Sequence, residues 1–295
     1  MKLTMGKHEL ELGGKYLGHL TDSTDIMTDL PALRSRLVEE GYLLLRGLHD
    51  REKAKEARRV VLENLNKAEQ LDLDYPLMDG VIAAGKRGKF WGGAKEITHT
   101  PEFLGLVEAP ELMQFFSDFL DAPSLTYDFK WLRVVTSGTF TGAHYDIVYM
   151  GRGTKEVYTL WTPLGDLSFQ DGPLAVLAGS HKYDKIRETY GEMDVDRDKV
   201  TGWFSNDPVE LVDTYGGQWK TAEFQMGDVL IFGMYTMHGS LSNMTNRFRI
   251  STDTRYQRAS DPVDERWIGE NPKAHYAWMK GETVPMEEAR KKWRV

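Results

Sequence analysis

Residues 227–257 read GDVLIFGMYTMHGSLSNMTNRFRISTDTRYQ. Two runs rich in β-branched and aromatic residues, DVLIF and FRISTDTRY, are separated by Gly, Ser and Asn, a pattern typical of two strands joined by a turn. Between them stands His238, followed by Gly239 and Ser240. The segment therefore predicts a β-rich region with a histidine close to the end of a strand.

Similar short runs recur from about residue 124 onward. They are LTYDFKWLRVVT, TGAHYDIVYM, EVYTLWTPLG, GPLAVLAG and KTAEFQM, each bounded by Gly, Pro, Asp or Asn. Several short strands at this spacing are typical of a sandwich or a closed barrel. Residues 181–215 interrupt them with a polar, partly helical insert.

The N-terminal part has helical periodicity instead. DLPALRSRLVEEG (29–41), DREKAKEARRVVLENLNKAE (50–69) and PEFLGLVEAPELMQFFSDFLD (101–121) are predicted helical, and YLLLRGL (42–48) is of strand length. The glycine-rich stretch 76–100, with Arg87 and Lys89, is predicted to be a long loop that either acts as a lid or merely connects. We expect one α+β domain over 1–295: helices at about 29–120, a β core at about 124–258 and a tail at 259–295 with an amphipathic end.

Composition narrows the class of protein. The 295 residues include no cysteine, which excludes disulfides, thiolate metal sites and thiol nucleophiles. A formal net charge of −8 argues against nucleic acid or an anionic membrane as the general partner. The N-terminus lacks the apolar core of a signal peptide, so we expect a cytoplasmic protein. The partner that we expect is a small-molecule substrate. The sequence does not predict the oligomeric state.

One short segment combines an imidazole and a carboxylate. His144 and Asp146 form the one His-x-Asp pair in the chain. If the segment is a strand, both side chains project to the same face. Taken alone, the pair fits a surface strand with two solvated side chains better than a metal site. A buried carboxylate, by contrast, needs a cation or an ion-pair partner.

His238 adds a second imidazole from another strand. Two histidines and one carboxylate form the facial triad that binds Fe(II) and leaves three positions open. Arg249 follows in FRISTDTRY, and its guanidinium would suit the far carboxylate of 2-oxoglutarate. Arg247 and Arg255 compete for this role, and Arg247 shares a strand face with Arg249. Two alternatives remain: a cupin-like metalloenzyme without 2-oxoglutarate, and a non-catalytic small-molecule-binding barrel.

Several motifs together resemble the phytanoyl-CoA dioxygenase family of Fe(II)/2-oxoglutarate oxygenases. They are VEEGYLLLRGL (38–48), the His144/Asp146 pair, WTPLGDLSFQDGPLAVLAGSH (161–181) and GDVLIFGMYTMHGSLSN (227–243), in that order. The resemblance implies a double-stranded β-helix, a jelly roll related to the cupins. It also implies metal ligation by His144, Asp146 and His238, which would be the catalytic centre.

The resemblance implies chemistry and further site residues. Fe(II), 2-oxoglutarate and O₂ would hydroxylate an unactivated C–H bond, releasing succinate and CO₂; halogenation is not expected, because halogenating relatives lack the carboxylate ligand. The family spacing selects Arg249 for 2-oxoglutarate. Further candidates are Ser240, Trp161 and Arg133 at the cosubstrate and Tyr149 and Tyr158 at the substrate, although Trp161 equally fits a core position and Arg133 a rim ion pair. His181 is interpreted as structural and His99 has no assigned role.

Overall fold

The computed structural model describes residues 1–86 and 93–295. Within those residues the strands are β1 Lys2–Met5, β2 His8–Glu11, β3 Leu17–His19, β4 Tyr42–Leu45, β5 Ser124–Thr126, β6 Trp131–Val135, β7 Tyr158–Pro163, β8 Leu174–Ala178, β9 Val200–Thr201, β10 Gln218–Thr221, β11 Val229–Gly233, β12 His238–Ser240, β13 Arg249–Arg258 and β14 Val284–Pro285. The helices are α1 Leu30–Glu40, α2 Arg51–Lys67, α3 Lys95–Thr98, α4 Pro101–Val107, α5 Pro110–Leu120, α6 Ile147–Met150, α7 Asp184–Arg187, α8 Val195–Asp198, α9 Pro208–Tyr215 and α10 Met286–Trp293. The centre of the predicted lid, with Arg87, Lys89 and Trp91, lies outside the described residues.

The helix–strand–helix prediction for the N-terminal part is confirmed. Asp29 caps α1 by accepting a hydrogen bond from Ala32 N, and the helix ends at Gly41, whose φ of 85° is left-handed. β4 follows at once, and Asp50 caps α2 in the same way. The stretch 101–121 forms two helices rather than one. Pro110 lacks an N–H and excludes its predecessor from the helical region, and Ala109 accordingly has a ψ of 135°.

Two sheets make up most of the β structure. The larger has the order β4-β11-β7-β13-β5, with β6 also paired to β13, and all its pairs are antiparallel. The smaller has the order β12-β8-β10-β3. The chain thus combines helices with several sheets, which confirms the α+β prediction.

The larger sheet is covered on both faces. Its outer face, with Leu43, Ile231 and Tyr256, packs on α1 and α5, and the neighbouring part with Leu132 and Ile250 packs on α2 and α4. The alternate residues of the same strands point inward, where they meet residues of the smaller sheet such as Val176. On β13 the inward residues are Arg249, Ser251, Asp253 and Arg255, because Asp253 pairs with Trp161 of the inner cluster.

The strand predicted for TGAHYDIVYM is wrong. Ala143 and His144 make single bridges to Ser205 and His238, and the chain then turns into α6. Asp146 has φ −69° and ψ −29°, which is helical backbone. Strand alternation therefore does not explain why His144 and Asp146 share a side.

Other boundaries also differ from the predictions. The run KTAEFQM shares only Lys220 and Thr221 with β10, because the strand begins at Gln218 and ends at Thr221. The strands β1 to β3 were not predicted. In the two described ranges, no helix has the length and apolar character needed to cross a membrane.

Candidate metal centre

Three side chains converge where the N-terminal end of β12 meets residues 143–146. His144 and His238 are backbone partners, with both N–H groups bonded to the opposite carbonyl at 3.0 and 3.1 Å. Their ring centroids lie 4.1 Å apart. One ligand atom from each of His144, Asp146 and His238 lies within 4.8 Å of the others, and all three residues are buried.

The histidine rings are oriented by backbone carbonyls. His144 Nδ1 lies 2.9 Å from Gly142 O, and His238 Nδ1 lies 2.9 Å from Thr236 O. A carbonyl oxygen only accepts, so each Nδ1 carries the proton and each Nε2 presents a lone pair. Both Nε2 atoms face Asp146 Oδ1, at 3.9 Å for His144 and 3.7 Å for His238.

Asp146 has its second oxygen occupied. Thr159 Oγ1 donates to Asp146 Oδ2 at 2.6 Å, and Arg255 Nη2 donates to the same oxygen at 3.1 Å. Oδ1 is left facing the two Nε2 atoms at distances too long for hydrogen bonds. Three lone-pair donors that face one another without a proton between them repel. A cation among them removes that repulsion, so the donor set fits a divalent metal ion that accepts nitrogen and oxygen.

The electrostatics keep the ligands in their metal-binding forms. Burial lowers the pKa of His144 well below its usual value, with His238 adding to the effect, and burial also lowers the pKa of His238. Burial alone would raise the pKa of Asp146, but Arg255, the two histidines and Thr159 outweigh it and lower that pKa. At neutral pH the site therefore presents two neutral imidazoles and one carboxylate.

Arg249 and Arg247 have different surroundings, although their spacing suggests a common strand face. Arg249 opens β13 and is buried; its Nη1 donates to Ser251 Oγ at 2.7 Å. Its Nε and Nη2 have no hydrogen-bond partner among the described residues. Arg247 precedes the strand, is half exposed and lies 3.9 Å from Asp79. Burial lowers the pKa of Arg249 to about 10, so the guanidinium stays charged at neutral pH. No carboxylate within residues 1–86 and 93–295 bonds it.

The structure places the other cosubstrate candidates as follows. Ser240 is buried on β12, and its Oγ accepts from Thr141 N at 2.9 Å. Trp161 lies in the apolar layer between the sheets, against Phe224, in the core position that the sequence left open. Arg133 forms an ion pair with Asp253 at 2.5 Å and also lines the cavity described next.

A cavity of about 460 Å³ opens onto His144 and Asp146. Its ring-bearing walls are Trp131, Phe140, Tyr149, Trp203, His275 and Trp278. Tyr149, predicted at the substrate, lies edge-on to His144 with centroids 5.7 Å apart. Trp203 is closer to His144, at 4.8 Å, whereas Phe204 turns away into the core.

Tyr158 is a wrong prediction for the substrate site. It alternates with Thr159 on β7, so it faces outward while Thr159 faces Asp146. Its ring packs edge-on against Phe119 of α5, and its hydroxyl bonds Glu156. His181 and His99 also lie apart from the cavity, with His181 Nε2 bonded to Val38 O and His99 Nδ1 to Thr98.

Sequence reasoning missed several residues of the site, among them Thr159, which bonds Asp146. Arg255 was considered only as a competitor for 2-oxoglutarate, yet it bonds Asp146. His275 and Trp278 come from the charged tail and reach the cavity wall. Arg255 had a detectable signal, since it follows Arg249 by an even number of positions on a strand and so shares its face. The tail residues had none, because no regular element contains them.

Comparisons with known proteins match this chain to one enzyme family and to a hydroxylase. The family model for phytanoyl-CoA dioxygenase (PhyH) matches residues 37–251. The 1-deoxypentalenic acid 11-beta-hydroxylase of Streptomyces exfoliatus is 27% identical over 258 residues, which cover 83% of this chain and 87% of that protein.

Solved structures show the same fold at lower identity. SnoN, an alpha ketoglutarate dependent epimerase from nogalamycin biosynthesis, is 17% identical with a TM-score of 0.56, over 88% of this chain and 98% of SnoN. HygX from Streptomyces hygroscopicus, solved with nickel and 2-oxoglutarate, is 16% identical with a TM-score of 0.53, over 87% of this chain and 98% of HygX.

Proposed function

Because this chain belongs to the phytanoyl-CoA dioxygenase family, we propose that it hydroxylates an unactivated C–H bond of a small, largely apolar molecule. The chain is an Fe(II)- and 2-oxoglutarate-dependent oxygenase, a class in which O₂ is the second cosubstrate. The observation that supports the proposal most strongly is the convergence of His144 Nε2, His238 Nε2 and Asp146 Oδ1 beside an aromatic cavity.

We assign the iron to those three atoms. Bound there, the iron would supply the redox chemistry that couples conversion of 2-oxoglutarate and O₂ into succinate and CO₂ to oxygen insertion into substrate. The protein's own contribution is orientation. Gly142 O and Thr236 O fix the two rings, and Thr159 and Arg255 restrict the carboxylate of Asp146 to one free oxygen. A one-oxygen carboxylate leaves more of the metal's positions open than a two-oxygen one does.

Arg249 is the proposed partner of the far carboxylate of 2-oxoglutarate. A buried guanidinium with two unpartnered nitrogens costs free energy unless an anion binds it. Ser251 Oγ orients the guanidinium through Nη1, and Ser240 on β12 is a second candidate contact for the same carboxylate. Trp161 lies in the apolar layer between the sheets, and its role at the cosubstrate stays a prediction.

The remaining parts of the proposal concern architecture. The four-stranded and six-stranded sheets, with the apolar layer between them, are proposed to be the two halves of a double-stranded β-helix. The helices α1, α2, α4 and α5 cover the outside of the larger sheet. We propose that residues 1–295 form a single domain, with the tail completing the cavity wall through His275 and Trp278.

The cavity suits a compact hydrophobic substrate. Aromatic rings dominate its walls, and Arg133 and Arg255 are the cationic residues in its described lining that an acidic substrate would meet. The related hydroxylase of Streptomyces exfoliatus is named for such an acid, 1-deoxypentalenic acid. Tyr149 and Trp203, both against His144, are placed to hold the C–H bond near the metal. Family membership does not favour the alternatives of a cupin-like metalloenzyme or a non-catalytic barrel.

Anaerobic titration with Fe(II) and then 2-oxoglutarate tests the class. We expect a metal-to-ligand charge-transfer band that requires both components. A screen of small hydrophobic molecules, scored by succinate formed above the substrate-free rate, then tests the substrate class. Absence of the band at saturating Fe(II) and 2-oxoglutarate would contradict the proposed function.

A further inference from the structure

The cavity wall formed by the C-terminal tail contains a histidine that the proposed chemistry does not use. We propose that His275 is a substrate-binding residue whose Nε2 accepts a hydrogen bond, and hence that the substrate carries a hydroxyl or other neutral donor on its apolar skeleton. The inference deepens the proposed function, since it concerns the same cavity. It rests on the hydrogen bond that orients the His275 ring, on the aromatic residues packed around that ring, and on Nε2, which has no partner among the described residues.

Asp196 fixes the ring. Its Oδ2 lies 2.9 Å from His275 Nδ1 and accepts from Arg266 Nη1 at 2.6 Å. Its Oδ1 accepts from the backbone N–H groups of Ala277 and Trp278, both at 2.8 Å. One buried carboxylate therefore orients both the imidazole and the backbone that follows it, which brings Trp278 to the cavity as well.

The carboxylate also determines the tautomer. Burial favours the protonated form of Asp196, but the bonds from His275, Ala277, Trp278 and Arg266 outweigh it and lower the pKa of Asp196. An ionised carboxylate only accepts, so the proton lies on His275 Nδ1. Burial lowers the pKa of His275 despite the neighbouring Asp196, so the ring is neutral at neutral pH and Nε2 is an acceptor.

Packing prevents the ring from turning away from the cavity. Trp267 lies edge-on at 4.8 Å between centroids, Trp278 at 5.0 Å and Tyr149 at 5.9 Å. His275 Nε2 has no hydrogen-bond partner among residues 1–86 and 93–295. A rigid acceptor on this cavity wall, set among the rings of Tyr149 and Trp278, selects for a ligand that brings a donor to that place.

The expected difference in affinity between two ligands follows from leaving the His275 Nε2 acceptor without a donor. A ligand of the same shape that offers only an acceptor places two lone-pair groups together, and the loss is about tenfold or more in affinity. Borneol and camphor provide such a pair. They share one bicyclic hydrocarbon skeleton, but borneol has a hydroxyl and camphor a carbonyl.

The experiment measures the dissociation constants of borneol and camphor by quenching of tryptophan fluorescence in the full-length protein. We expect the unmodified protein to bind borneol about tenfold or more tightly than camphor. In His275→Phe, which retains a ring but no acceptor, the ratio should fall to about one. Asp196→Asn should reduce the ratio too, whereas a loss of structure alone would weaken both probes equally. His19→Phe, at an exposed position of β3, is the control.

Three results would overturn the proposal: a wild-type ratio of one or below, no measurable binding of borneol, or a ratio that His275→Phe leaves unchanged. A wild-type ratio of one or below overturns the proposal even where a variant fails to fold. The Fe(II)/2-oxoglutarate charge-transfer band is measured on the same sample. Its absence would contradict the oxygenase function without affecting the borneol-to-camphor ratio, so the two failures are distinguishable.

Discussion

Arg255 Nη2 donates a hydrogen bond of 3.1 Å to Asp146 Oδ2, joining residues 109 positions apart in the chain. The guanidinium is buried and stacks over the ring of Trp131 at 4.4 Å. With Thr159 on the same oxygen, Arg255 leaves Asp146 Oδ1 facing the two histidines. Arg255 is thus a positioning residue for the proposed metal carboxylate.

Arg255→Met should weaken Fe(II) binding by about tenfold to a hundredfold, the effect usual for a residue that orients a ligand. Equilibrium dialysis with Fe(II) under anaerobic conditions measures it. Arg258→Met is the matched control, since Arg258 ends the same strand with its guanidinium on Leu120 O instead. Equal Fe(II) affinity in Arg255→Met and the wild type would show that Thr159 alone positions the carboxylate.

His238→Ala should abolish both Fe(II) binding and 2-oxoglutarate turnover. The substitution removes one of three converging ligand atoms, and two ligands do not hold the ion against water. Metal content after desalting and succinate production are the measurements, with the exposed His19→Ala as control. Stoichiometric iron retained by His238→Ala would refute the ligand assignment.

Arg249→Ala should weaken 2-oxoglutarate by roughly two to three orders of magnitude, because breaking a buried ion pair costs on the order of 3–5 kcal/mol and affinity changes tenfold per ~1.4 kcal/mol. Fe(II) affinity should change little, since no ligand is altered. Titration of the charge-transfer band measures both. Arg247→Ala, at a half-exposed position, should have the milder effect. The opposite order of the two variants would show that the assigned register is wrong.

His49 should make folding stability depend on pH. It is buried with Nε2 3.0 Å from Thr162 Oγ1, and burial lowers its pKa to about 4, against about 6.5 in the unfolded chain. The neutral form is favoured by folding, so this contribution to stability is complete above pH ~6.5 and decreases as pH falls toward 4, by about 3 kcal/mol in total.

Urea denaturation between pH 4 and 7 tests this, using the difference between wild type and His49→Gln. The stability of the wild type relative to His49→Gln should decrease as pH falls from 7 toward 4. His19→Gln should follow the wild type over the same range. A difference between wild type and His49→Gln that stays constant over the range would contradict the assignment of the lowered pKa to His49.

Local patterns in the sequence predicted the local structure well. Helical spacing with an Asp at the start and Gly41 at the end is enough to define α1, and the apolar run YLLL defines β4. The pattern failed around His144, where a β-like composition contains a helical turn at Asp146. There the bridge between His144 and His238 and the bonds to Asp146 determine the backbone, and no short window contains those partners.

By itself the sequence determined the types of ligand atom, the absence of thiolates, the ordered motifs and most of the helices and strands, because these depend on residue identity and on neighbours a few positions away. The tertiary structure decided which arginine is buried with no anionic partner in the part of the chain that is described, which oxygen of Asp146 faces the histidines and which wall His275 joins. Those outcomes depend on contacts between distant segments, such as Asp196 with His275, 79 positions apart. Burial and hydrogen-bond geometry exist only once such segments meet, and spacing along the chain does not encode them.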